Sequence, residues 1–104
     1  IGEDSSQHVN NFLWAYNVDS RQLTRLMSIP AGGESTGLHA VDDINGWTYI
    51  MSNFQHAGDW GGIHNVVKTT LDPLLRANYK DKFGSAVGYL TADSGQMRMA
   101  KPAA

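Results

Sequence analysis

Cysteine is absent from this chain, which excludes a disulfide framework and any thiolate zinc centre. The absence fits cytosolic and exported proteins alike, so it fixes no compartment. Charge is sparse as well: charged residues make up 17% of the sequence, and the formal net charge is −2. The eight Lys and Arg are scattered, with no basic run or stripe, and nucleic acid is not an expected partner. No apolar stretch approaches the ~20 residues that a membrane span needs, so no membrane span is expected. The sequence opens on Ile1 instead of Met, with no charged and apolar regions of a signal peptide ahead of it. Ile1-Gly2-Glu3-Asp4 reads as the tail of a strand entering a polar loop, and the expectation is a portion cut from something longer.

What is present is ordinary for a folded chain. Its 104 residues suffice for about one small domain, and 41% are hydrophobic, too many for general disorder. Three Trp and four Tyr in so short a sequence imply real packing surfaces. From Phe12 to Val18 the run Phe-Leu-Trp-Ala-Tyr-Asn-Val predicts a strand. Asp19-Ser20 supplies a turn, and Gln22–Ile29 returns as a second strand that Pro30 stops. Residues 31–37 read as a glycine-rich loop, followed by a short strand over Leu38–Val41. Asn45-Gly46 is a strong hairpin signal, and Trp47–Ser52 is the clearest strand in the chain. The stretch Ile63–Leu75 is ambiguous, because Asp72-Pro73 should interrupt a helix there; a helical turn is expected only over Pro73–Asn78. Ser85–Thr91 reads as a last strand, and the tail after Gly95 as loose, with Lys101-Pro102-Ala103-Ala104 resembling a natural C-terminus.

Short strands and hairpins at intervals of roughly 8–12 residues indicate an all-β fold: sandwich, barrel or propeller. The two hairpins, over 12–29 and 38–52, have the form of consecutive propeller-blade hairpins, with no strict repeat between them.

Several side chains have the chemistry of a site. Glu3 and Asp4 are adjacent carboxylates at a strand exit, where hard cations such as calcium find oxygen ligands. Neighbours on a strand point to opposite faces, so both reach one ion only if the backbone bends; the alternative is a solvated loop with Asp4 capping a turn. Glu34 stands among glycines, which allow close approach of backbone to a ligand. It is a candidate ligand or general base, or else an exposed loop residue. His56 lies in Asn53-Phe-Gln-His-Ala-Gly-Asp-Trp, among groups able to donate to phosphate oxygens. In the same stretch Trp60 reads as structural. The four His show no i, i+4 helical spacing and no HExxH pattern, which argues against zinc. No P-loop lysine follows the glycine-rich stretch, and there is no GxSxG elbow.

Five segments in order carry a family resemblance. They are Ile1-Gly-Glu-Asp-Ser, Asn11-Phe-Leu-Trp-Ala-Tyr-Asn-Val, Leu23-Thr-Arg-Leu, Pro30-Ala-Gly-Gly-Glu-Ser-Thr-Gly-Leu and Ser52-Asn-Phe-Gln-His-Ala-Gly-Asp-Trp. Together with Val87-Gly-Tyr-Leu they resemble the C-terminal part of PhoX-type bacterial alkaline phosphatases. The resemblance implies a β-propeller whose channel holds calcium and iron, which hydrolyses phosphate esters in the periplasm or beyond. On that reading residues 1–104 form a single fragment, the C-terminal blades of a larger propeller. Glu3, Asp4 and Glu34 become metal ligands, and Glu34 and His56 catalytic residues. The chain is much shorter than such enzymes, so most ligands would come from elsewhere and the isolated chain should be nearly inactive. Its expected partners are the phosphate ester and either the remainder of the parent propeller or copies of itself. The competing reading is a non-catalytic β module, or a self-associating fragment with a binding role.

Overall fold

The computed structural model describes residues 1–93; the loose tail and the terminus expected after Gly95 lie outside the described residues. Among the described residues strands dominate, at 45% against 15% helix, with antiparallel sheets and no closed barrel. The first hairpin pairs β1 (Phe12–Asn17) with β2 (Gln22–Ser28). Its turn is built as the sequence predicts: Asn17 Oδ1 accepts from the backbone N–H groups of Asp19 at 3.0 Å and Ser20 at 3.1 Å. A bulge after Leu13 places Trp14 opposite Arg25, and the Arg25 guanidinium lies over the Phe12 ring at 4.0 Å and the Trp14 ring at 5.2 Å.

The second sheet has the order β3–β4–β5, with β3 at Glu34–Ile44, β4 at Trp47–Gln55 and β5 at Ala86–Asp93. Asn45 and Gly46 join β3 to β4 with φ of 51° and 85°. These left-handed values are what a two-residue hairpin with the native strand twist requires. A short 3-10 turn (Gly62–His64) and one helix, α1 (Lys68–Asn78), intervene before β5.

The first residues join the two sheets. On one side Trp14 N–H donates to the Ile1 carbonyl at 2.8 Å and Glu3 N–H to the Phe12 carbonyl at 3.2 Å; on the other, Ser35 N–H donates to the Glu3 carbonyl at 2.9 Å. Residues 1–3 thus bridge β1 and β3, and the principal extents are 51 × 28 × 18 Å. Among the described residues the buried apolar side chains are few: Leu13, Ile29, Ala31, Ala57 and Leu75.

Two expectations need correction. The glycine-rich stretch 31–37 is not all loop: Glu34, Ser35 and Thr36 pair with Gln55, Phe54 and Asn53 at the start of β3. Gly37, with φ 62°, marks the bulge where the register then shifts. Its permissive backbone admits strand on either side of it. The second correction concerns Pro73, which does not delay the helix. Helix α1 begins at Lys68, and the Val67 carbonyl accepts from Thr70 N–H at 3.1 Å and Leu71 N–H at 2.9 Å. Proline removes one intrahelical donor, but tertiary anchors hold both turns. Leu75 is buried, and Asp72 accepts from Trp60 Nε1 at 2.7 Å and Arg76 Nε at 2.8 Å.

Candidate functional site

Glu3 and Asp4 part company in the way strand alternation requires. The Glu3 carboxylate is already engaged: Oε2 accepts from Trp14 Nε1 and from Phe12 N–H, both at 3.0 Å, and Oε1 meets His8 Nδ1. Burial works to raise its pKa, yet these bonds and the His8 ring outweigh it and hold the carboxyl below its ordinary range. Glu3 thereby knits the first residues to β1.

Asp4 turns the other way and meets Glu34. The hydrogen bond between the two carboxyls, then burial, then the Asp4 charge push Glu34 above its ordinary pKa, with His56 acting in the opposite sense. Glu34 side-chain exposure is 14%, so water screens this contact only in part. Gln55, across the ladder from Glu34, donates its amide to Oε1. Glu34 Oε2 lies 3.5 Å from His56 Nε2.

His56 ends β4 in the left-handed region, at φ 43°, a conformation uncommon for any residue but glycine. Its Nδ1 lies 3.1 Å from the Gly32 carbonyl and 3.8 Å from Asp59 Oδ2. Burial works to lower the His56 pKa, but the Gly32 carbonyl, its own backbone and Glu34 together raise it. Gly32 is itself fixed: at φ 78° a Cβ would stand 2.8 Å from Asp59 N and 3.0 Å from Gly58 N. The glycine therefore lets two loops touch where the histidine is set.

A polar cleft of about 240 Å³ opens beside this corner, lined among others by Asp4, Ser5, Asn11, His56, Asp59 and His64. Its walls are fastened. Asn11 donates to the Gly33 carbonyl at 2.8 Å and accepts from Ser5 N–H at 3.1 Å. His64 accepts from Gly61 N–H at Nδ1, 3.0 Å, and donates from Nε2 to the Val9 carbonyl at 2.9 Å.

Of the sequence-predicted site residues, Asp4, Glu34 and His56 come together, whereas Glu3 has its carboxylate turned to Trp14. Gln55 and Asp59 complete the surroundings. Gln55 carried a usable signal, since pairing Glu34 with it follows from the ladder register; nothing in the sequence indicated the Gly32 carbonyl. The donor set suits the implied metals in kind: carboxylate oxygens for calcium, carboxylate and imidazole for iron. Two carboxyls forced together, one with a raised pKa, are also a pair that a bound cation would relieve. In number the set is partial, for among the described residues no group of three His, Asp or Glu is arranged to hold a metal ion. No family model, curated protein or solved structure matches the chain.

Proposed function

We propose that this chain is the C-terminal portion of a secreted or periplasmic, calcium- and iron-dependent phosphomonoesterase of the PhoX type, contributing blades to a β-propeller. The observation that supports this reading is the meeting of Asp4, Glu34 and His56, from three separate stretches of sequence, at the mouth of a polar cleft. Asp4 and Glu34 would hold the cations. Such ions, when bound, polarise a phosphoryl oxygen and favour a hydroxide nucleophile at neutral pH. His56, kept protonated to higher pH by the Gly32 carbonyl and Glu34, is suited to donate a hydrogen bond to a phosphate oxygen. Gln55 holds Glu34 in place, and the cleft offers room for a small ester. The remainder of the parent propeller would complete the ligand set.

Calcium titration by calorimetry tests the corner. Saturable binding is expected for the wild type and for Glu3→Gln, whose carboxylate serves the fold. Loss is expected for Asp4→Asn and Glu34→Gln, with circular dichroism confirming that all variants fold. Binding that survives both of the latter changes would place calcium elsewhere and remove the support for this reading.

A further inference from the structure

The β3–β4–β5 sheet leaves large apolar side chains on its open face. In an antiparallel ladder, directly paired residues share a face and alternate residues share a side. Trp47, Tyr49, Met51 and Asn53 of β4 therefore share a face with Ile44, Val41, His39 and Thr36 of β3 and with Asp93, Thr91, Tyr89 and Val87 of β5. This is the open face: Trp47 is 48% exposed, Tyr89 62% and Val87 78%. The opposite row of β4 holds Thr48 and Ser52, at 0% and 5%. On that inner face Phe54 packs edge-on against Tyr79 with centroids 5.5 Å apart, and Ile50 and Leu90 line an apolar crevice with Met27 of β2. Thr48 and Ser52 are thus buried beside Ile50 and Phe54, while Trp47 and Tyr89 face outward.

We propose that this face is a dimer interface between two copies of the chain, packed sheet on sheet about a two-fold axis lying across the strands. The inference is made for the chain on its own; the neighbouring blade implied by the propeller reading is the competing occupant of this face. Side chains of this size bury roughly 150–250 Å² each when aromatic, so the open surface of Ile44, Trp47, Met51, Val87 and Tyr89 amounts to some hundreds of Å². Monomers rarely leave contiguous apolar patches of more than a few hundred Å² uncovered. Stable interfaces take about 800 Å² from each partner. The five supply most of that area, and Val41, Tyr49 and Thr91, on the same face, extend it. The face is also self-complementary. With the axis between the Tyr49 and Met51 levels, Tyr49 of each copy lies across from Met51 of the other, a favourable aromatic–sulfur contact. Trp47 lies across from the smaller Asn53 and Val87, so bulk meets space. The Tyr49 and Tyr89 rings, edge-to-face with centroids 5.4 Å apart, form the centre beside His39, and Glu34 and Asp93 fall towards the rim.

Sedimentation equilibrium on the pure chain is the test, with Tyr89→Glu and Trp47→Arg as variants whose side chains point away from the fold. A dimer of twice 11.4 kDa is expected for the wild type. Its dissociation constant should rise at least tenfold in each variant, with unchanged circular dichroism. A wild-type monomer at about 100 µM, well above the Kd that an interface of standard size supports, would overturn the proposal and leave the face to another segment or partner. A dimer indifferent to both variants would overturn it too, in favour of pairing along the β5 edge.

Discussion

At the scale of single residues, two acids three elements apart respond oppositely to pH because their surroundings differ. Glu3 accepts three donors and its folded pKa lies below the ordinary 4.5. A depressed pKa means that the folded state favours the ionised form. Its stabilisation is therefore full above 4.5 and is lost as pH falls through the folded value. Glu34 lies above 4.5, so its contribution is full below 4.5 and is lost as pH rises through the raised value. Glu3→Gln should cost about 1–2 kcal/mol near neutral pH, the order of a charge-assisted hydrogen bond, and should flatten the loss of stability between pH 4.5 and lower values. Urea denaturation across that range checks it; an unchanged acid limb would mean that Glu3 does not tie the first residues to β1. Of the site residues, Asp4, Glu34 and His56 were legible as types in the sequence. Their meeting was not, since it depends on residues 1–3 bridging two sheets and on a left-handed His56.

At the scale of elements, the strands were the legible part. The aromatic run at Phe12, the Asp19-Ser20 turn and the Asn45-Gly46 hairpin all lie where local chemistry puts them, because β-branched and aromatic residues and turn residues act over short distances. Helix α1 was hidden because its proline is overridden by contacts from outside the segment: buried Leu75, and Trp60 bonded to Asp72. Restoring the missing N–H should strengthen the helix, offset in part by a freer unfolded chain. Pro73→Ala is expected to stabilise the protein by on the order of 1–2 kcal/mol, below the full ~3 kcal/mol interior penalty of proline. Thermal unfolding checks this; destabilisation would show that proline's fixed φ is needed where α1 packs.

At the scale of the whole molecule, a chain with few buried apolar residues among those described carries its candidate site at one end of the β3–β4 ladder and its open aromatic face alongside. The mostly-β character was readable from strand spacing; which face of the β3–β4–β5 sheet is covered was not, because spacing does not say which side of a strand packs. The proposed site joins the two sheets through Asp4 and Glu34, so ligand binding there should depend on both. The most direct measurement is phosphorus NMR of inorganic phosphate titrated with the chain, with and without calcium. Line broadening is expected only when calcium is present, and it should vanish in Glu34→Gln while persisting in Glu3→Gln. Phosphate that ignores the calcium-loaded chain, or that binds Glu34→Gln equally well, would contradict a phosphatase site at this corner.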